Sequence, residues 1–230
     1  MTPLLLTDPV GDDYGLGYAY PRAALFAEAG FADLTGFEAL SRGEKLILRV
    51  RLNRYPNHTN APNGFSLATV AIYLHERPGG FEQLPGAGFK TPVGQGWNRA
   101  YLITGWQAEE RWPGGQKKVV GVQKNGDWLE LTPSLPPADY AYYVAVGLYD
   151  PFAPWYFRPV RPGGGAWVLD GPAGAPAAVD VLAQNQAAAY SSGILPPVRA
   201  EPVQRRLPLA WLSAGIGLLI FLLAFRFPRR

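Results

Sequence analysis

From Lys45 to Leu52 the chain reads KLILRVRL, with Leu46, Leu48, Val50 and Leu52 in one register and Lys45, Arg49 and Arg51 in the other. A period of two is the pattern of a half-buried β-strand, because successive side chains point to opposite faces of the pleat. Phe65–Glu76 (FSLATVAIYLHE), Trp97–Trp106 and Tyr140–Tyr149 (YAYYVAVGLY) have strand character as well. Val119–Val122 and Asp127–Leu131 flank Lys124-Asn125-Gly126, whose Asn-Gly pair predicts a type I′ hairpin. No long stretch keeps a 3.6-residue period. With 27 glycines and 23 prolines to punctuate the strands, the expected fold is all-β, an antiparallel β-sandwich of short strands and tight turns.

One segment breaks this pattern. Leu207 to Phe225 (LPLAWLSAGIGLLIFLLAF) runs without a charge. As a helix it would be about 28 Å long, close to the ~30 Å hydrocarbon core of a bilayer. Trp211 near one end and Phe225 with Phe227 near the other suit its interfaces. The expected organisation is therefore a β-sandwich over residues 1–184, a Pro/Ala-rich stalk over 185–206, a single C-terminal transmembrane helix over 207–225 and a basic tail over 226–230.

The formal charge of +3 belongs to that anchor. Arg205, Arg206, Arg226, Arg229 and Arg230 are five of the 21 bases, which leaves 16 bases against 18 acids over residues 1–204, a net of −2. A nucleic-acid binder carries the opposite balance on its folded domain, so nucleic acid is excluded as a partner. Cysteine is absent, which removes disulfides, thiolate metal sites and a cysteine nucleophile. No Gly-x-Ser-x-Gly elbow, His-Glu-x-x-His pair or phosphate loop occurs. Glu109 and Glu110 are adjacent, and adjacent residues of a strand face opposite ways, so they do not make a pair of glycosidase carboxylates. The chain is not expected to be an enzyme.

The opening DPVGDDYGLGYAYP, residues 8–21, resembles the start of the C-terminal binding module of glucodextranase and related pullulanases. Asp33–Glu38, Asn63–Ser66, Trp97–Trp106, Val146–Pro151, Arg158–Val160 and Val179–Leu182 resemble that family's later motifs in order. Leu16 stands where the family usually has proline, and no catalytic domain is attached, so the parent enzymes' activity does not carry over. The resemblance implies a DOMON-like, carbohydrate-binding sandwich on the outside of a cell. The first eight residues are too short for a signal peptide, which leaves an exported, single-pass membrane protein or a cytosolic tail-anchored one; the family's extracellular habit favours export.

Two groups of residues are candidates for binding. Asp8, Asp12 and Asp13 place three carboxylates within six residues among glycines, and such charges repel unless a cation sits among them. Calcium, which takes oxygen ligands, is the metal expected there; turn capping through the aspartates' own backbone amides is the alternative. Trp112, Trp155 and Tyr156 fall in turn-rich loops, where exposed rings suit stacking against sugars, or where they fold back as lids over the sandwich. Trp97 and Trp106 are expected in the core.

The leading reading is a membrane-tethered, non-catalytic surface module that binds a polysaccharide or another cell-envelope component. A subunit docking onto a protein partner is a second reading. A haem-binding electron-transfer domain is a third, for which Met1, His58, His75 and lysines are the available axial ligands.

Overall fold

The computed structural model describes residues 1–199. Leu207–Phe225 and the basic tail lie outside the described residues, and among those described no helix is long and apolar enough to cross a membrane.

Two antiparallel sheets carry the fold. The smaller runs, edge to edge, Leu4–Thr7, Leu34–Arg42, Lys45–Leu52, Trp128–Leu131 and Val122–Asn125. The larger runs Ala178–Val181, Ala141–Leu148, Ala68–His75, Arg99–Thr104, Ala108–Arg111 and Lys117–Val120. Their facing sides share one core. Phe37, Leu48 and Val50 from the first sheet meet Ile72, Tyr142 and Val144 from the second, all buried, with the Phe37 and Tyr142 rings 5.2 Å apart.

The two sheets differ in what covers their outer faces. On Lys45–Leu52 the apolar register is buried while Arg49 and Arg51 lie half-buried on the other face, their guanidinia 4.7 and 5.2 Å from the Trp128 ring. Ala68–His75 and Ala141–Leu148 are buried along almost their whole length. Loops close over that second face: Tyr73 lies against Trp97 and Trp155, and the Tyr143 hydroxyl donates to the Gln95 carbonyl. Burial on both faces explains why these two strands read as continuous apolar runs rather than as alternation.

Three expectations are corrected. The hairpin turn is Gly126-Asp127, since Asn125 pairs with Trp128. Of these only Gly126 has positive φ (59°), the pattern of a type II′ turn, so the Asn-Gly pair does not supply two left-handed residues. Trp97 is buried, but the strand spans Arg99–Thr104 and Trp106 sits in the turn after it, 45 % exposed. Residues 185–199, expected to begin a stalk, fold onto the sandwich. Asn185 caps helix Gln186–Ser192 by accepting from the Ala188 N–H, Tyr190 and Leu195 are buried, and Val198–Arg199 pairs with Ala141 and Tyr142. The apolar residues in this Ala-rich segment outweigh its polar look, because Tyr190 packs on Tyr18 and Phe89 and joins the core with Ala189 and Leu195.

Candidate functional site

Two clusters of buried carboxylates and one apolar groove stand out. The first cluster forms where the N-terminal segment meets strands Leu34–Arg42 and Ala178–Val181, through the bonds of the Asp8 N–H to the Thr35 carbonyl and of the Gly15 N–H to the Val179 carbonyl. One carboxylate oxygen from each of Asp8, Asp12 and Asp180 lies within 4.8 Å of the others. Asp180 is wholly buried, opposite Val146 in the register of the larger sheet, which turns its side chain toward the space between the sheets. Its Oδ2 accepts from the Leu34 N–H at 2.7 Å. Asp33, also wholly buried, accepts at Oδ2 from the Gly11 N–H and the Asn53 side chain. Gly11 can make that bond because it adopts φ +85°, a backbone few other residues tolerate. Gln186 donates to the Asp12 carbonyl and side chain, tying the short helix to the same loop.

What these bonds leave over is more telling. Asp8 Oδ2, Asp12 Oδ1, Asp33 Oδ1 and Asp180 Oδ1 are all buried without a donor. Among the described residues none of the four aspartates forms an ion pair with a basic side chain. Burial, and then the neighbouring Asp12 charge, pushes the Asp8 carboxyl up to about 7. Burial, and then Asp8, pushes Asp180 up to about 9. Asp13, expected in this group, instead accepts from the Tyr20 hydroxyl at 2.6 Å. Asp33 and Asp180 stand far from the DPVGDD motif in sequence; their only signal was that each falls within a segment similar to the family's later motifs, Asp33–Glu38 and Val179–Leu182.

The second cluster is built differently. Glu109 and Glu110, both buried, do face opposite ways. Glu109 accepts from Arg111 Nη2 at 2.6 Å and Lys117 Nζ at 2.9 Å. Burial alone would raise its carboxyl, but the bonds to Lys117 and Arg111 outweigh this and hold it below the ordinary range. Glu110 is paired with Arg99 and accepts from the Tyr101 and Ser134 hydroxyls. Every buried charge here has its partner within the chain.

Of the three loop aromatics expected to bind sugar, Trp155 and Tyr156 are folded against the sheet. Trp155 stacks on Tyr73 at 6.1 Å with the Arg111 guanidinium 4.7 Å from its ring. The Tyr156 hydroxyl accepts from the Gln107 amide at 2.7 Å. Trp112 lies under Arg99 and shares with Trp155 a small cleft of about 220 Å³. Tyr156 does not line that cleft.

A larger groove of about 830 Å³ opens elsewhere, where Arg99–Thr104 and Ala141–Leu148 end and Ala68–His75 begins; the register Thr69↔Thr104 and Ala68↔Leu148 brings those ends together. Trp106, Trp167 and Phe152 line it and remain 45, 55 and 94 % exposed. Arg158 braces one wall, donating to the carbonyls of Trp167 and Tyr149, while Trp167 packs edge-on against Phe26 at 5.9 Å. Asp150 and Arg161 add charged groups to the lining. His58 lies 3.5 Å from Glu28 and the His75 ring is bonded to the Gly96 carbonyl, and neither lines the groove.

An antiparallel sandwich whose loops set exposed aromatic rings around a surface groove belongs, as a class, with the binding modules. Residues 4–192 match the family described as the C-terminal binding module, SLH-like, of glucodextranase. The chain belongs to that family. No curated protein matches it as a relative.

Proposed function

We propose that this protein is a surface module that binds a polysaccharide, or another glycan of the cell envelope, in the groove between Trp106 and Trp167, and that Leu207–Phe225 tethers it to the membrane. The observation that carries the reading is the exposure of those two rings on the walls of one groove. Exposed tryptophan is costly to leave in water, and its flat face suits the axial C–H face of a pyranose. Arg161 and Asp150 supply hydrogen-bonding groups for hydroxyls beside the rings. The 19-residue uncharged run supports the tether, and the family supports a binding role at the cell surface.

One experiment tests both halves. Membranes from cells making the full chain are washed with carbonate and then passed over a panel of immobilised α-glucans and envelope polysaccharides. The chain should stay with the membrane, and the vesicles should be retained by at least one glycan. Trp106→Ala and Trp167→Ala should each weaken retention by about 1–2 kcal/mol, scaled from aromatic pair energies, with little change in melting. Chain released by carbonate sinks the tether. Retention unchanged in both variants, or none on any glycan, sinks the groove. Phe152, 94 % exposed at the rim, favours a protein partner as the second reading; loss of a bound protein on Phe152→Ser with glycan retention intact would establish it.

A further inference from the structure

We infer that Asp8, Asp12 and Asp180, with Asp33 beside them, hold one calcium ion that clamps the N-terminal segment to the closing strand of the larger sheet. The inference stands apart from the glycan reading, since none of these residues lines the groove.

Acidic clusters on a surface are common and need no ion. This one differs in burial and in what its oxygens lack. Asp180 is wholly buried, and its Oδ1 has no donor although it belongs to a group whose oxygens converge within 4.8 Å. Buried polar atoms are nearly always bonded, so unpartnered carboxylate oxygens on the three converging residues Asp8, Asp12 and Asp180, and on Asp33 nearby, call for an explanation. The chain supplies no base there among the described residues, while it supplies one for each carboxylate at Glu109 and Glu110.

The donors choose the metal. All are carboxylate oxygens, with no imidazole or thiolate, so zinc and the softer metals are poorly served. Calcium accepts six to eight oxygens in irregular geometry, whereas magnesium demands a near-ideal octahedron and keeps most of its water. Three converging carboxylates, two from the N-terminal loop and one from the closing strand, suit the former. The remaining free edges of Asp12 and Asp33 are already fixed by Gln186 and by Gly11 with Asn53, which holds the ligands in place. The alternative occupant is a proton. Burial already raises Asp8 and Asp180, so the unliganded cluster would keep protons rather than charge.

The test uses the full chain, stripped with EGTA and titrated by calorimetry with calcium chloride alone. Terbium luminescence, with tyrosine excitation through Tyr20 nearby, reports the same site. One ion per chain should bind. At calcium near a hundred times its dissociation constant, melting should rise by about 5–10 °C. Asp180→Asn should abolish binding and the melting response, while Asp13→Asn, whose side chain is bonded to Tyr20, should keep both. Asp12→Asn takes the place of Asp180→Asn if that variant does not fold. No heat, no luminescence and one melting curve with or without EGTA would overturn the inference in favour of shared protons. Binding that survives Asp180→Asn or Asp12→Asn but is lost in Asp13→Asn would also overturn it.

Discussion

The sandwich buries carboxylates in two places and treats them in opposite ways. At Glu109 and Glu110, Arg111, Lys117 and Arg99 are aimed at the acids, and the pairs are complete within the chain. At Asp8, Asp12, Asp33 and Asp180 the partners are backbone amides, amide side chains and one another. Burying a charge without a counter-charge is expensive enough that the group ordinarily neutralises instead. One fold thus holds a self-sufficient ionic network and a set of acids that no basic side chain answers among the described residues. The first is structural cement; the second has the composition of a binding site.

The largest effect should come from breaking the complete network. Arg99→Ala leaves Glu110, wholly buried, with only hydroxyl donors, and should cost about 3–5 kcal/mol in urea denaturation. A loss below about 1 kcal/mol would mean that the Arg99 pair does not hold Glu110 in the fold, and the contrast between the two clusters would fail.

The aspartate cluster should answer with the opposite sign. In EGTA, Asp180→Asn keeps the shape and the acceptor for the Leu34 N–H while removing one of the clustered acids. Stability in the same denaturation should rise by about 1 kcal/mol, the scale of relieving one unpaired buried group. A fall of several kcal/mol in EGTA would show Asp180 to be satisfied within the chain after all, and the contrast with Glu110 would vanish.

The smallest effect lies in the acid limb of stability against pH. Glu109 is held below its ordinary value of 4.5, so its folded value is the depressed one. Its contribution is fully present above the unfolded value and is lost as pH falls through the folded one. Glu109→Gln should therefore flatten the loss of stability below pH 4.5 while leaving the slope between neutral and pH 6 as it was. An acid limb identical in the variant would show that Lys117 and Arg111 do not stabilise the charged form.

Much of this architecture could be read from local patterns. The alternation of Lys45–Leu52 and the apolar runs of Ala68–His75 and Ala141–Leu148 mark a layered β fold, because each pattern records which faces of a strand are dry. The DPVGDD motif marked the acidic loop for the same local reason: charges that close in sequence must meet in space. Its completion by Asp33 and Asp180 was not legible, since those residues arrive through sheet pairing across more than twenty and more than a hundred and sixty positions.

Aromatic rings divide along the same line. Trp106 and Trp155 each follow a strand through a turn, and nothing in their neighbouring residues says which is covered. Packing decides. Trp155 finds Tyr73 and Arg111 waiting on the outer face of the larger sheet, whereas Trp106 turns out over the ends of the strands and stays 45 % exposed among the described residues. Local chemistry determines which backbone shape and which faces a segment can take, because those depend on neighbours within a few residues. Which acids share one hollow and which rings meet solvent depends on contacts between segments distant in the chain, and only the folded arrangement of the two sheets decides that.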